Sequence, residues 1–258
     1  MPKRTRRASD LVRVLNAPGT IGPLTARPRR VVDSQHLFST RKLVDSGEEQ
    51  RLLDELLESR KPPGLRAAAK LHYLLATPFR YPPLAWGSRF ATRLESGLWY
   101  GSIERRTAFA ETGYHRLSFA QASRAELIPL ELELTVFRAR VRTARGVDLT
   151  AAPFSDWRDE LASKIRYDLA QALGRAMREA GVEAFRYVSA RDVRGGTKLG
   201  VLSPAALAER KPGQLETWVC LVERERVEFF EKSHFRRRSL AFSRSELLVQ
   251  SRFRAPNS

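Results

Sequence analysis

The sequence predicts an α+β fold: a mixed, mainly antiparallel central sheet flanked by helices. Three observations lead there. Helical patterns open the readable part of the chain, strand and helix patterns then mix without the steady alternation of a doubly wound sheet, and the chain ends on a run of strands. With 42% apolar and 29% charged residues over 258 positions, the composition is that of a folded chain with a sizeable core.

Taken in order, residues 1–37 read as a basic, flexible arm. Pro18, Pro23 and Pro28 with Gly19 and Gly22 interrupt helix and ladder alike. Residues 38–77 read as a helical extension. Ser46 and Glu49 form a capping box, and Leu52, Leu53, Leu56 and Leu57 make one apolar stripe to be buried, stopped by Pro62-Pro63-Gly64. A second helix is expected over Leu65 to Leu75, ended by Pro78, with Pro82-Pro83 keeping the next stretch extended. The central unit is expected at 78–230. Gly97 to Gly101 reads as a short strand and turn, and Ile103 to Leu117 as a helix in which Gly113 weakens the middle. Ile128 to Val141 alternates as one strand whose parity flips at Val136–Phe137, which predicts a bulge. Residues 156–180 carry the longest helical pattern, on Trp157, Leu161, Ile165, Leu169, Leu173 and Met177, stopped by Gly181. Ala184 to Ser189 is a strand leading into the polar loop 189–196, and strand pattern returns at Val201-Leu202 and from Leu215 to Phe230. A basic C-terminal segment, 231–258, follows.

The formal net charge is +17 and the pI about 10.9. Thirty-eight arginines stand against eight lysines, and the basic surplus concentrates at the two ends. Basic ends can meet phosphates by counterion release, so a non-enzymatic nucleic-acid-binding protein is one reading, although no zinc-finger, RNP or helix-turn-helix pattern accompanies the charge. No apolar run is long enough to span a bilayer and no secretory h-region opens the chain, which points to the cytoplasm. One cysteine, Cys220, sits in an apolar run and reads as a packed thiol. Glu111 and His115 share a helix face at i, i+4, but no second such pair completes a metal site, and no metal is expected. P-loop, dinucleotide-fold glycine and GxSxG signatures are all absent.

The window from Pro78 to Glu111 carries more. Phe79-Arg80, Gly87-Ser88-Arg89-Phe90, Trp99-Tyr100-Gly101 and Thr107-Ala108-Phe109-Ala110-Glu111 follow one another with eleven residues from Arg89 to Tyr100 and eleven from Tyr100 to Glu111. Ser189-Ala190-Arg191 comes later. In order and spacing these pieces resemble the RES domain family, over roughly residues 38–230. Short members have Gly-Gly-Arg-Trp where this chain has Gly87-Ser88-Arg89-Phe90. The resemblance implies an ADP-ribosyltransferase-like fold and a toxin of a bacterial toxin–antitoxin pair that cleaves the nicotinamide–ribose bond of NAD, by hydrolysis or phosphorolysis. It leaves open transfer of ADP-ribose to a host protein. NAD is then a substrate and no cofactor is held permanently. The implied partner is a cognate, Xre-like antitoxin covering the cleft; a homodimer stays open, and neither direct nucleic-acid contact nor a membrane is implied.

Residue by residue, the resemblance makes Arg80, Tyr100 and Glu111 the catalytic candidates and Arg89 and Ser189 the substrate-binding ones. Breaking the nicotinamide–ribose bond builds positive charge on the ribose, which a carboxylate at Glu111 would stabilise. On the helix pattern alone, an ion pair of Glu111 with Arg105, Arg106 or another arginine of the helix serves equally well. Guanidinium groups suit the pyrophosphate by paired hydrogen bonds, the phenol of Tyr100 would stack or bond to the substrate, and Ser189 would donate to a phosphate or ribose oxygen. An arm outside the matched region would be expendable for catalysis.

Overall fold

The computed structural model describes residues 8–34, 46, 48–49, 52, 56, 66–83, 85, 87–123, 127–233 and 238–248. Its centre is a ten-stranded sheet in the order β1-β5-β6-β7-β3-β2-β4-β8-β9-β10. The strands are β1 (Gly22–Ala26), β2 (Arg29–Asp33), β3 (Trp99–Ser102), β4 (Leu130–Arg138), β5 (Val141–Asp148), β6 (Ala184–Val188), β7 (Thr197–Val201), β8 (Gly213–Val222), β9 (Arg226–Glu231) and β10 (Ser239–Ser243). The β5–β6 pair is parallel and the others are antiparallel. The helices are α1 (Ala8–Leu15), α2 (Tyr73–Arg80), α3 (Arg105–Ala122), the single turn α4 (Arg158–Leu161), α5 (Asp168–Glu179) and α6 (Arg244–Leu247). The fold class is thus α+β, as the element order in the sequence predicted.

The first correction concerns the N-terminal arm. Residues 8–33 build α1, β1 and β2, and β2 lies in the middle of the sheet between β3 and β4. The prolines punctuate rather than forbid: Pro28 sits at a corner where one strand stops, and its carbonyl accepts the Ala139 amide across the same corner of the neighbouring chain segment. The segment β1–β2 therefore pairs with β5 at one edge of the sheet and with β4 in its interior, and the two pairings meet where the Ala139 amide bonds the Pro28 carbonyl. Between β2 and β3 the ladder reduces to one partnered pair, Arg29 and Ser102.

The same corner explains the misread strand at 128–141. The register shifts between Val136 and Arg138, close to the expected bulge, and both Val136 and Phe137 are buried. The chain then starts a separate strand at Val141 that pairs elsewhere. The long helix expected over 156–180 is likewise two pieces. The carbonyls of Leu161 and Ser163 accept the Arg89 guanidinium, that of Lys164 accepts Arg191, and the Ser163 hydroxyl accepts the Arg166 amide. These bonds replace the i→i−4 ladder between α4 and α5, and Ile165, placed on the apolar stripe by its spacing, is 68% exposed. Gly181 does stop α5, at φ +67°. The second helix runs over Tyr73–Arg80 instead of 65–75, with Pro78 inside its last turn and the His72 ring nitrogen capping its start by accepting the Leu74 amide. Ser46 accepts the Glu49 amide as the capping box requires, yet Leu52 and Leu56 are more than half exposed; Leu53 and Leu57 lie outside the described residues. The basic C-terminal segment contributes β10 and α6, whose Phe242 and Leu247 are buried.

Three apolar clusters hold these elements. Leu11 and Leu15 of α1 pack with Leu173 and Met177 of α5 and with Phe90 and Phe185. Leu75 and Phe79 of α2 meet Trp99 and Val201. Phe109, Tyr114 and Leu117 of α3 cover Trp218 and Phe229, with the Phe109 ring 4.6 Å from each. Each large side chain taken fully from water contributes roughly 1.5–3 kcal/mol. Gly113, unfavourable in a helix by itself, lies against Leu247 and Phe229, where a Cβ would come 3.3 Å from the Leu247 methyl.

Arginines do much of the remaining joining. Arg145 donates to the carbonyls of Ala180 and Gly181, Arg178 to those of Phe90, Gly174 and Ser96, Arg186 to Thr25, and Arg29 to Ile103. Gly174 shows how close the Phe90 loop sits on α5, because a Cβ there would fall on the Phe90 carbonyl oxygen. Alanine normally stabilises a helix interior relative to glycine by about 0.5–1 kcal/mol. Here Gly174→Ala is expected to reverse that sign and destabilise by about 1–3 kcal/mol through overpacking, read as a lower denaturation midpoint at unchanged m-value.

Candidate active site

Loop 189–196 and helix α3 assemble the site. Thr107 donates to the Asp192 carboxylate at 2.7 Å, and Asp192 accepts the Arg194 amide, so the loop is fastened to the first turn of α3. One turn further along the same face, Glu111 reaches Ser189. The Ser189 oxygen already accepts the amides of Arg191 and Asp192, at 3.2 and 3.1 Å. Its single proton goes to Glu111 Oε1 at 2.6 Å. Ser189 thus orients the carboxylate, whereas the sequence reading had it face a phosphate or ribose oxygen.

The other carboxylate oxygen, Oε2, is 3.1 Å from the ammonium of Lys198 on β7. Burial pushes the Glu111 carboxyl up, but Lys198 and then the Ser189 hydroxyl outweigh it, and the group titrates at about 2. It is a carboxylate at any physiological pH. The arginine pairing allowed by the helix pattern does not occur: Arg105 bonds Glu216 at 2.7 Å, and Arg106 bonds Glu246.

Tyr100 on β3 stands on the other side of Lys198, whose ammonium lies 5.7 Å from the Tyr100 ring centre and 5.9 Å from that of Tyr187. The Tyr100 hydroxyl accepts the Phe90 amide and shares a hydrogen bond with the Ser88 hydroxyl at 3.1 Å, so the Gly87-Ser88-Arg89-Phe90 segment is bound directly to it. Burial raises the Tyr100 phenol above its ordinary value and keeps it neutral. Tyr100 and Ser88 open onto a cavity of about 290 Å³. Its walls are Arg30 and Val32 of β2, Tyr73, Leu74, Thr77 and Pro78 of α2, Tyr81, Pro83, Gly97 and Leu98.

Tyr100, Glu111 and Ser189 are therefore brought together, with Lys198 as their link. Arg89 lies near them, but its Nη1 is committed to the Leu161 and Ser163 carbonyls and its guanidinium is stacked 4.8 Å over Tyr167. Arg80 ends α2 and is not among the residues lining the cavity. Arg30 is. It donates to the Tyr100 carbonyl at 2.9 Å, its Nε has no partner among the described residues, and burial alone lowers its guanidinium to about 10. The sequence reading passed over Arg30 because it fell in the supposed arm. Lys198 falls between the polar loop 189–196 and the strand pattern expected at Val201-Leu202, where nothing local singles it out; its pairing position opposite Ser102 and Tyr187 does.

Other expectations resolve away from the site. Burial pushes the Cys220 thiol up to about 12, and it packs in the core as a neutral group. Among the described residues no group of three or more His, Cys, Asp or Glu side chains is placed to hold a metal ion, and no helix is long and apolar enough to cross a membrane.

The RES domain family model matches residues 63–221. The chain belongs to the RES domain family. Compared with the curated proteins, the sequence has no match. Among solved structures this RES domain chain is similar to the M. tuberculosis MbcT–MbcA toxin–antitoxin complex, at 14% identity over 83% of this chain and 92% of that one, with a TM-score of 0.46. The matched span contains α2, the Tyr100 strand, the Glu111 helix and the Ser189 loop of the RES domain, while Arg30 lies before it.

Proposed function

We propose that this RES domain protein is the toxin of a bacterial toxin–antitoxin pair and that it destroys NAD in the cytoplasm. The supporting observation is the fixed, ionised Glu111, whose partner Lys198 ends 5.7 Å from the ring of Tyr100, a residue that lines one cavity with two further tyrosines and with the Arg30 guanidinium. In the reaction the bond between ribose C1 and the nicotinamide nitrogen breaks, and its electron pair leaves with the nitrogen as neutral nicotinamide. Positive charge spreads over ribose C1 and the ring oxygen, and the Glu111 carboxylate stabilises it. The oxygen of water or of phosphate then bonds to C1, water giving up one proton. Arg30, with Arg80 and Arg89 on the neighbouring segments, supplies the cationic side that favours the pyrophosphate, and Tyr100 walls the nucleotide. Transfer of the ADP-ribose to a host protein shares the first step and differs only in the acceptor. A cognate antitoxin, Xre-like as in the family, would hold the site closed until needed.

The test is incubation of the full chain with NAD alone, with NAD and phosphate, and with NAD and a host extract. Nicotinamide is expected in all productive arms, accompanied by ADP-ribose, its phosphate ester or labelled protein respectively. No nicotinamide in any arm, alongside salt-dependent binding of DNA or RNA, would replace this reading with the nucleic-acid one.

A further inference from the structure

The geometry points to Lys198 as a positioning residue that acts on the nicotinamide–ribose bond only through Glu111; this deepens the NAD-cleaving reading and rests on it.

Lys198 is 9% exposed and starts from a backbone fixed on both sides, since β7 places it opposite Ser102 of β3 and opposite Tyr187 of β6. Its ammonium lies 5.7 Å from the Tyr100 ring centre and 5.9 Å from that of Tyr187, and ends 3.1 Å from Glu111 Oε2. Each carboxylate oxygen thus has one tether, Ser189 on Oε1 and Lys198 on Oε2. Two tethers on opposite oxygens fix the carboxylate plane, which one cannot. The other groups facing the pair do not duplicate the lysine. His115, on the helix of Glu111, is exposed, and Arg116 of the same helix pairs with Asp33. Arg191, beyond Ser189, lies 3.6 Å over the Tyr114 ring and donates to the Lys164 carbonyl. Arg89 and Arg30 act on Lys198 itself, as like charges, and both are bonded to backbone carbonyls. Tyr187, buried, stays neutral. Without Lys198, the carboxyl of Glu111 would keep its burial, which favours the protonated form, and would lose the largest influence opposing it, leaving Ser189 and then His115 as the next in size.

The experiment uses the full chain in two arms. In the first, carbon-13 in the glutamate carboxyls is followed by NMR, with Glu111→Gln identifying the Glu111 resonance. The parent resonance should not titrate above pH 4; in Lys198→Met its midpoint should move up by roughly three units or more, past pH 5, as burial then acts with most of its opposition gone. In the second, nicotinamide release is measured against pH. The parent kcat/KM should be flat on the acid side between pH 5 and 7. That of Lys198→Met should fall about tenfold per pH unit below the new midpoint and recover above it, with KM for NAD changed less than about twofold. Lys198→Arg should restore the parent profile, and His115→Gln should leave the acid limb of Lys198→Met in place. Where Lys198→Met does not fold, Lys198→Gln, which keeps a donor without the charge, takes its place with the same expectations. An unmoved Glu111 midpoint, or a loss in kcat/KM equal at every pH, overturns the proposal; the latter would put Lys198 on the substrate. A parent that titrates as stated but releases no nicotinamide overturns the NAD reading and leaves the Lys198–Glu111 coupling standing.

Discussion

Glu111→Gln is expected to lower nicotinamide release from NAD by at least about a thousandfold, the scale on which a preorganised charge acts in a buried site. The change is nearly isosteric. The amide oxygen can still accept the Ser189 proton, so position is kept and charge is removed. On the proposed reaction the charge itself is what the developing oxocarbenium needs, and among the described residues Lys198 has no second carboxylate ion pair. The substitution also leaves a buried ammonium without its counter-charge, a defect that costs on the order of 3–5 kcal/mol when a buried pair is broken from one side. Activity must therefore be compared at a temperature where circular dichroism shows both proteins folded. Stability against pH gives an independent check. The Glu111 carboxyl titrates at about 2 when folded against an ordinary value of 4.5, so the stability it contributes is present above pH 4.5 and lost as pH falls toward 2. The parent should show that loss in acid unfolding curves and Glu111→Gln should lack it. Full activity in a folded Glu111→Gln would remove the carboxylate from the mechanism.

Deleting residues 1–33 is expected to abolish the folded state, with no cooperative thermal transition and no soluble product. The sequence reading treated this segment as expendable; the sheet says otherwise. The deletion removes β2 from between β3 and β4, uncovers the edge of β5, and takes Leu11 and Leu15, each 1% exposed, out of the first core cluster. It also removes Arg30 from the cavity wall. A smaller probe separates core from site: Leu15→Ala should cost about 2–5 kcal/mol in denaturant unfolding while leaving the KM for NAD unchanged at a temperature where it is folded. A truncated protein that unfolds cooperatively and still releases nicotinamide would show that the remaining strands close the sheet without β2.

Legibility followed the range of the interactions. The α3 pattern, the β3 strand between its glycines and the Gly181 stop are set by local periodicity, and the sequence shows them; the strand pattern from Leu215 to Phe230 is there as well, but it divides into β8 and β9, a turn the periodicity did not mark. The break between α4 and α5 is imposed from Arg89 and Arg191, 74 and 27 positions away in the bonds they make to Ser163 and Lys164, so a stripe running from Trp157 to Met177 conceals it. The same holds for β2, whose two-sided pairing comes from residues about seventy positions downstream on one side and about a hundred on the other. At the site, Tyr100, Glu111 and Ser189 were legible because their spacing survives as a motif. Arg30 and Lys198 were not, because a lone basic residue in a strand is informative only once its neighbours across the sheet are known.

The guanidinium groups that hold carbonyls of Ile103, Tyr100, Leu161, Ser163, Ala180, Gly181, Phe90, Ser96 and Thr25 bear on the isoelectric point. A flat guanidinium presents five donors in fixed directions, whereas the three donors of an ammonium turn on a flexible stem. A chain recoded with lysine at those positions would keep the same formal electrostatics and come unfastened. Six of the cations that an electrophoretic measurement would register as basicity are thus also fastenings between elements, and the cation content free to meet a polyanion outside is smaller by that number than the amino-acid count implies.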